Sequence, residues 1–178
     1  MGQKTNTVSP IATPGPLTTM WSTAGAEKAL AAAGAYTFSD VIVPCAEERI
    51  ITLLVAYDSA AAGGYPVIIP LGSCATSQPA AGDDSWFILP ASDGTWINTV
   101  LTGAVPAGAD WTQNPGMGLS EVRCLAIKPM AGAVGAGDEV RIAITLNVAP
   151  FRYFQFAIAE VGNTGTPGSC LISASLSV

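Results

Sequence analysis

The chain has no histidine among its 178 residues. That removes the commonest general acid–base side chain and the commonest zinc ligand, and with them any Ser-His-Asp or Cys-His nucleophilic arrangement. Charge is also scarce, at 11% of residues against about 25% in an average soluble domain. The seven basic residues, Lys4, Lys28, Arg49, Arg123, Lys128, Arg141 and Arg152, are scattered, and the net charge is −6. Nucleic acid and anionic membrane surfaces both need clustered cations, so neither is expected as a partner. No apolar run approaches the roughly 18 residues of a membrane-spanning helix. The opening stretch, Met1 to Pro16, has no apolar segment of the secretory type. Gly2 after Met1 is a poor acylation context. The four cysteines, Cys45, Cys74, Cys124 and Cys170, are far apart, so no CxxC redox or zinc spacing exists. They read as small buried hydrophobes. No Walker-type or GxGxxG loop is present, and no cofactor is expected.

What the chain does contain is apolar residues, 49% of the total. Few charges together with many apolar side chains imply that part of the surface is covered by a partner or built from small residues. Residues 1–35 stand apart in composition. Pro10, Pro14 and Pro16 favour extended backbone, while Ala26 to Ala33 are good helix formers stopped by Gly34. This stretch reads as an N-terminal arm, extended with a short helix, whose deletion leaves the remaining domain folded. Residues 36–178 read as that domain.

From Tyr36 the rhythm is period two. Val140, Ile142, Ile144, Leu146 and Val148 fall on one face of a strand and Glu139, Arg141, Thr145 and Asn147 on the other. Cys170, Ile172, Ala174 and Leu176 alternate with Ser173, Ser175 and Ser177. Further strands are expected over 36–44, 49–57, 65–71, 85–89, 95–101, 121–128 and 151–161. The last carries aromatic groups on both faces, as a central or interface strand would. Gly63-Gly64, Asp93-Gly94, Gly137-Asp138 and Pro167-Gly168 supply turn chemistry, with Asp93-Gly94 suited to a tight hairpin. About nine short strands without crossover helices predict an antiparallel, jelly-roll-like β-sandwich. Residues 103–119 form the longest loop, and long loops commonly make contacts.

Carboxylates occur as the neighbours Glu47-Glu48, Asp83-Asp84 and Asp138-Glu139. Neighbours on a strand point to opposite faces, so none makes a catalytic pair, and no DxDxDG loop supports calcium. Catalysis is not expected. Trp86 and Trp96 read as core residues of two paired strands, although with Trp111 they are also the residues a sugar-binding groove would use. The candidate partner contacts are Pro10, Pro14, Pro16, Trp21 and Leu30 in the arm, and Pro106, Trp111, Pro115 and Met117 in the long loop.

Several segments together resemble small β-sandwich proteins of tailed bacteriophage virions. Tyr36 to Val43 followed by Arg49 to Asp58 is similar to their opening, and Ser92-Asp93-Gly94-Thr95-Trp96 to one of their hairpin turns. Phe151 to Gly162 followed by Thr166 to Ala174 resembles their closing hairpin. The resemblance spans about residues 36–178; the arm and the 103–119 loop depart from it. It implies a virion structural protein of the capsid-decoration or head-associated type, with the major capsid protein or other virion proteins as partners. A homo-oligomer is expected, a trimer by preference because capsids offer local three-fold positions. A neck or tail component is the alternative within that class, and a carbohydrate- or receptor-binding module the alternative outside it.

Overall fold

A computed structural model describes residues 16–31, 35–45, 50–60, 64–89, 95–100, 121–127, 139–162 and 165–177. These residues are all-β, and their twelve strands lie in two antiparallel sheets packed as a sandwich. In chain order the strands are β1 (Thr18–Trp21), β2 (Lys28–Ala29), β3 (Thr37–Phe38), β4 (Val43–Pro44), β5 (Ile50–Asp58) and β6 (Tyr65–Ser73). They continue with β7 (Phe87–Ile88), β8 (Thr95–Val100), β9 (Glu121–Ala126), β10 (Glu139–Asn147), β11 (Tyr153–Val161) and β12 (Ser169–Ser177).

The first sheet runs β1-β12-β5-β10, with β2 sharing β12's edge with β1. The second runs β3-β11-β6-β9-β8; β4 sits beside β3 on β11, and β7 beside β9 on β6. Prolines explain why that edge of β6 is divided. Pro66 and Pro70 have no N–H, so at these positions the edge offers only a carbonyl, which accepts from the Ile127 and Leu89 N–H groups at 3.0 and 2.9 Å. β9 pairs only at Val67 and Ile68, and β7 only at Leu71 and Gly72.

The main core lies between the sheets. β5 alternates strictly, sending Ile51, Leu53, Val55 and Tyr57 inward against Phe154, Phe156 and Ile158 of β11. A second apolar cluster covers the outer face of the second sheet, where Val67, Ile69, Leu71, Ala157 and Ala159 pack with Tyr36 and Trp86. Hence β6 and β11 are buried on both faces. The two-faced reading of 151–161 as a central strand holds: β11 lies between β6 and the β3/β4 pair.

Several expectations need correction. Residues 16–31 are part of the sandwich, not of an arm. β1 pairs β12, β2 pairs Ser169 and Cys170, and Met20, Trp21 and Leu30 are in the main core. Residues 26–31 form no helix. A short alanine-rich segment gains little as an isolated helix. Here Lys28 instead lies over the Trp21 ring, at 4.0 Å from its centroid, and pairs with Asp40, while the Leu30 N–H bonds the Gly168 carbonyl at 2.9 Å. The turn before it is built by Ala24 (φ 50°) and Gly25 (φ 81°), with Thr23 and Ala26 exchanging two bonds of 2.9 Å. Two consecutive positive φ values make a two-residue hairpin turn. Residues 1–15 and 32–34 lie outside the described residues.

The strand expected over 36–44 is two short pieces. Ser39 interrupts it, donating its hydroxyl to the Val41 carbonyl at 2.9 Å. The segments 85–89 and 95–101 are not hairpin partners, since β7 pairs β6 and β8 pairs β9. Likewise β11 and β12 form no closing hairpin, because they lie in different sheets. Cys45, Cys124 and Cys170 are buried as expected, but Cys74, just beyond the end of β6, is exposed.

Candidate interaction surface

The two sheets differ in what they present outward. The second is covered by the 80–89 segment. Trp86 is only 3% exposed and its indole N–H reaches the Ala80 carbonyl at 2.8 Å. With the Gln155 amide turned to satisfy both ends, its oxygen accepts from Gly82 N–H at 3.2 Å and from Trp86 Nε1 at 3.0 Å. Trp86 is therefore a core residue, as expected, and offers no face for a sugar.

The first sheet carries no such cover among the described residues. Its outer face follows from the alternation that fills the core. In β5 the outward positions are Ile50, Thr52, Leu54 and Ala56; in β12 they are Leu171, Ser173, Ser175 and Ser177; in β10 they are Arg141, Ala143, Thr145 and Asn147. The registers Ala143↔Leu54 and Ser173↔Leu54 place Leu54 at the middle of this face, where it remains 41% exposed. Leu17, at the entrance to β1 and 62% exposed, closes one side of a shallow depression of about 410 Å³ lined also by Leu54, Ala56, Ala143, Leu171 and Ser173. Charge gathers toward one end of the face, where Arg141 Nε and Glu139 Oε1 are 2.6 Å apart and Asp58 of β5 lies beside Glu139; Arg141 also lines the depression. A flat face of Leu, Ala, Ser and Thr can approach another protein closely with little charge to desolvate.

A buried polar cluster closes one end of the sandwich. Glu160 of β11 points inward, 1% exposed. Its Oε1 accepts from the Tyr57 hydroxyl at 2.7 Å and its Oε2 from the Gly168 N–H at 2.7 Å. These bonds tie β5 to β11 and fix the chain where it enters β12. Burial, reinforced by the Glu160 charge and opposed by a bond to Ser59, raises the ionisation of Tyr57 well above its usual range. Gly168 is required for close approach: a Cβ there would lie 2.5 Å from the Asp58 carbonyl oxygen and 2.7 Å from the Tyr57 ring. Ser169, beside it, donates its hydroxyl to Glu27 at 2.6 Å. Among the described residues no group of three His, Cys, Asp or Glu side chains is placed to hold a metal. Asp83 Oδ1 is occupied by the Ser85 N–H at 2.8 Å and its hydroxyl at 2.5 Å, a local turn.

The sequence-predicted contact residues divide three ways. Trp21 and Leu30 are buried in the main core, so they are not contacts. Both are bulky apolar side chains, and the first sheet buries them in its own sandwich. Pro16 is exposed, next to Leu17 at the rim of the depression. Pro10, Pro14, Pro106, Trp111, Pro115 and Met117 lie outside the described residues, as do the Trp96 side chain, the 103–119 loop and Glu47-Glu48. Leu54 and Leu171 were the missed residues: Leu54 sits in a segment apolar on both faces and Leu171 is the one large apolar side chain on the serine face of β12, and only the sheet order shows that this face lacks a cover among the described residues. No protein-family model, curated protein or solved structure matches the chain.

Proposed function

We propose that this protein is a non-catalytic structural subunit that works by docking the outer face of its β1-β12-β5-β10 sheet onto another protein. The observation that carries the reading is the contrast between the sheets. One is apolar on both faces and covered; the other leaves Leu17, Leu54 and a row of small side chains uncovered among the described residues. Apolar area removed from water stabilises such a contact by roughly 25 cal/mol per Å², less the ordering costs of association. The family resemblance of residues 36–178 supplies the setting: a tailed-phage virion, with the subunit decorating the outside of the head and the major capsid protein as the surface it meets.

The test is co-sedimentation of the purified chain with such particles, comparing wild type with Leu54→Lys and Leu171→Lys. A lysine head forced into a dry contact costs about 2 kcal/mol, some thirtyfold in affinity. Both variants should fold, because Leu54 is exposed and Leu171 half-buried on the outer face. Unchanged occupancy for both variants contradicts the docking face.

A further inference from the structure

The edges of the first sheet are unequal. On one side β1 is four residues long, preceded by Pro16, and bulged between Thr19 and Trp21. Short length, proline and bulges are the devices by which sheets discourage edge-to-edge pairing. On the other side β10 is nine residues long and pairs β5 in unbroken register from Glu139↔Asp58 to Asn147↔Ile50. It contains no proline, no bulge and no inward-pointing charge, and no strand among the described residues pairs with its far edge. The inward-facing side chains at this edge are incompletely covered. Ile142, expected in the core from its alternation, is 37% exposed, and Val140 is half-buried.

We infer that β10 pairs antiparallel with β10 of a second copy of this chain, about a two-fold axis at Ala143, joining the two first sheets into one continuous sheet. The sequence of the strand fits itself in that register. Val140 falls opposite Leu146 and Ile142 opposite Ile144, apolar against apolar on the inner face. Arg141 falls opposite Thr145 and Glu139 opposite Asn147 on the outer face, so no like charges meet. Ala143 meets Ala143, small enough for close approach at the axis. A two-fold interface must be self-complementary in this way. The pairing gives partners to the edge N–H and C=O groups of β10, which pair with no strand among the described residues, and covers Ile142. It is a two-fold pair in place of the three-fold expected from the sequence. It concerns the edge of the sheet; Ala143 also lines the docking depression, and Leu54→Lys, which alters that face away from the edge, separates the two proposals.

Sedimentation equilibrium of the purified wild-type chain tests this, together with Ala143→Lys, Ala143→Glu and their equimolar mixture. Ala143 is exposed, so either charge is compatible with the fold. The pair predicts twice the chain mass for wild type, a single chain for each variant, and recovery of the double mass on mixing, where Lys faces Glu at the axis. Leu54→Lys, one strand inward on the outer face, should remain paired. A wild type of one or three chains overturns the inference. So do variants that stay paired, a mixture that does not recover, or dissociation by Leu54→Lys. Should a variant fail to fold, wild-type amide exchange over 141–145 decides: protection that rises with protein concentration supports the pair, and concentration-independent exchange overturns it.

Discussion

Replacing Glu160 by alanine tests the physical account of the sandwich at its most demanding point. The carboxylate is buried and accepts two bonds of 2.7 Å, from the Tyr57 hydroxyl and the Gly168 N–H. Truncation leaves both donors in the interior without these acceptors. Each such donor costs about 1–3 kcal/mol, and bonds to a charged group lie in the upper part of the range. The variant should lose about 3–5 kcal/mol, a large share of the roughly 5–15 kcal/mol that holds a domain together. Glu160→Gln keeps an acceptor for Gly168 and can donate its amide to the Tyr57 oxygen, so it should lose only about 1–2 kcal/mol. Urea unfolding followed by tryptophan fluorescence measures both. A double-mutant cycle with Tyr57→Phe isolates the pair and should return a coupling of at least about 1 kcal/mol. An alanine variant within about 1 kcal/mol of wild type would mean that the two donors find other acceptors at no cost, and that Glu160 does not hold this end of the sandwich.

Three further outcomes follow from the same interior. Burial pushes the Cys124 thiol up to about 12, and raises Cys170, with added repulsion from Glu27 and Glu160, and Tyr57. The folded state then holds protons that the unfolded chain releases, so stability is intact below about pH 9 and falls as pH rises above it; thermal melts from pH 8 to 11 should show the decline, and Cys124→Ala should make it shallower. In the native protein only Cys74 should react promptly with a thiol reagent, with Cys45, Cys124 and Cys170 reacting on unfolding; prompt titration of more than one thiol contradicts the burial. Deleting residues 1–31 removes β1, β2 and the buried Met20, Trp21 and Leu30; burying Trp21 alone contributes about 3–5 kcal/mol, so the shortened chain should lose its cooperative melt, and a wild-type-like melt would restore the reading of that whole stretch as an arm.

The strands that were legible in the sequence are those whose burial is decided locally. β10 and β12 alternate in sequence because one face meets the core, and β6 and β11 read as apolar throughout because both faces are covered; β5 also reads as apolar on both faces, and its strict alternation shows only in burial. β1 and β2 were hidden. Proline and threonine around Thr18 and alanine around Ala29 carry coil and helix preferences, and the contacts that override them, with Ser169 to Ala174, lie more than a hundred residues away. Partner choice was not legible either. Pro167-Gly168 is turn chemistry, but the chain there passes from β11 in one sheet to β12 in the other instead of closing a hairpin, and β5 and β6 likewise lie in different sheets. The outer face was half-visible as the serines of β12. Leu54 could not be placed there without the sheet order, and Ile142 looked buried because alternation does not reveal that β10 has a neighbour on only one side among the described residues.

The proposed role is docking, with the outer face of the first sheet laid on another protein. Electron cryo-microscopy of an assembled particle bearing the chain tests it most directly. Many copies on the shell are expected, each with Leu17, Leu54 and Leu171 turned toward an adjoining subunit. Copies that present that face to solvent, or particles that carry none, would contradict it.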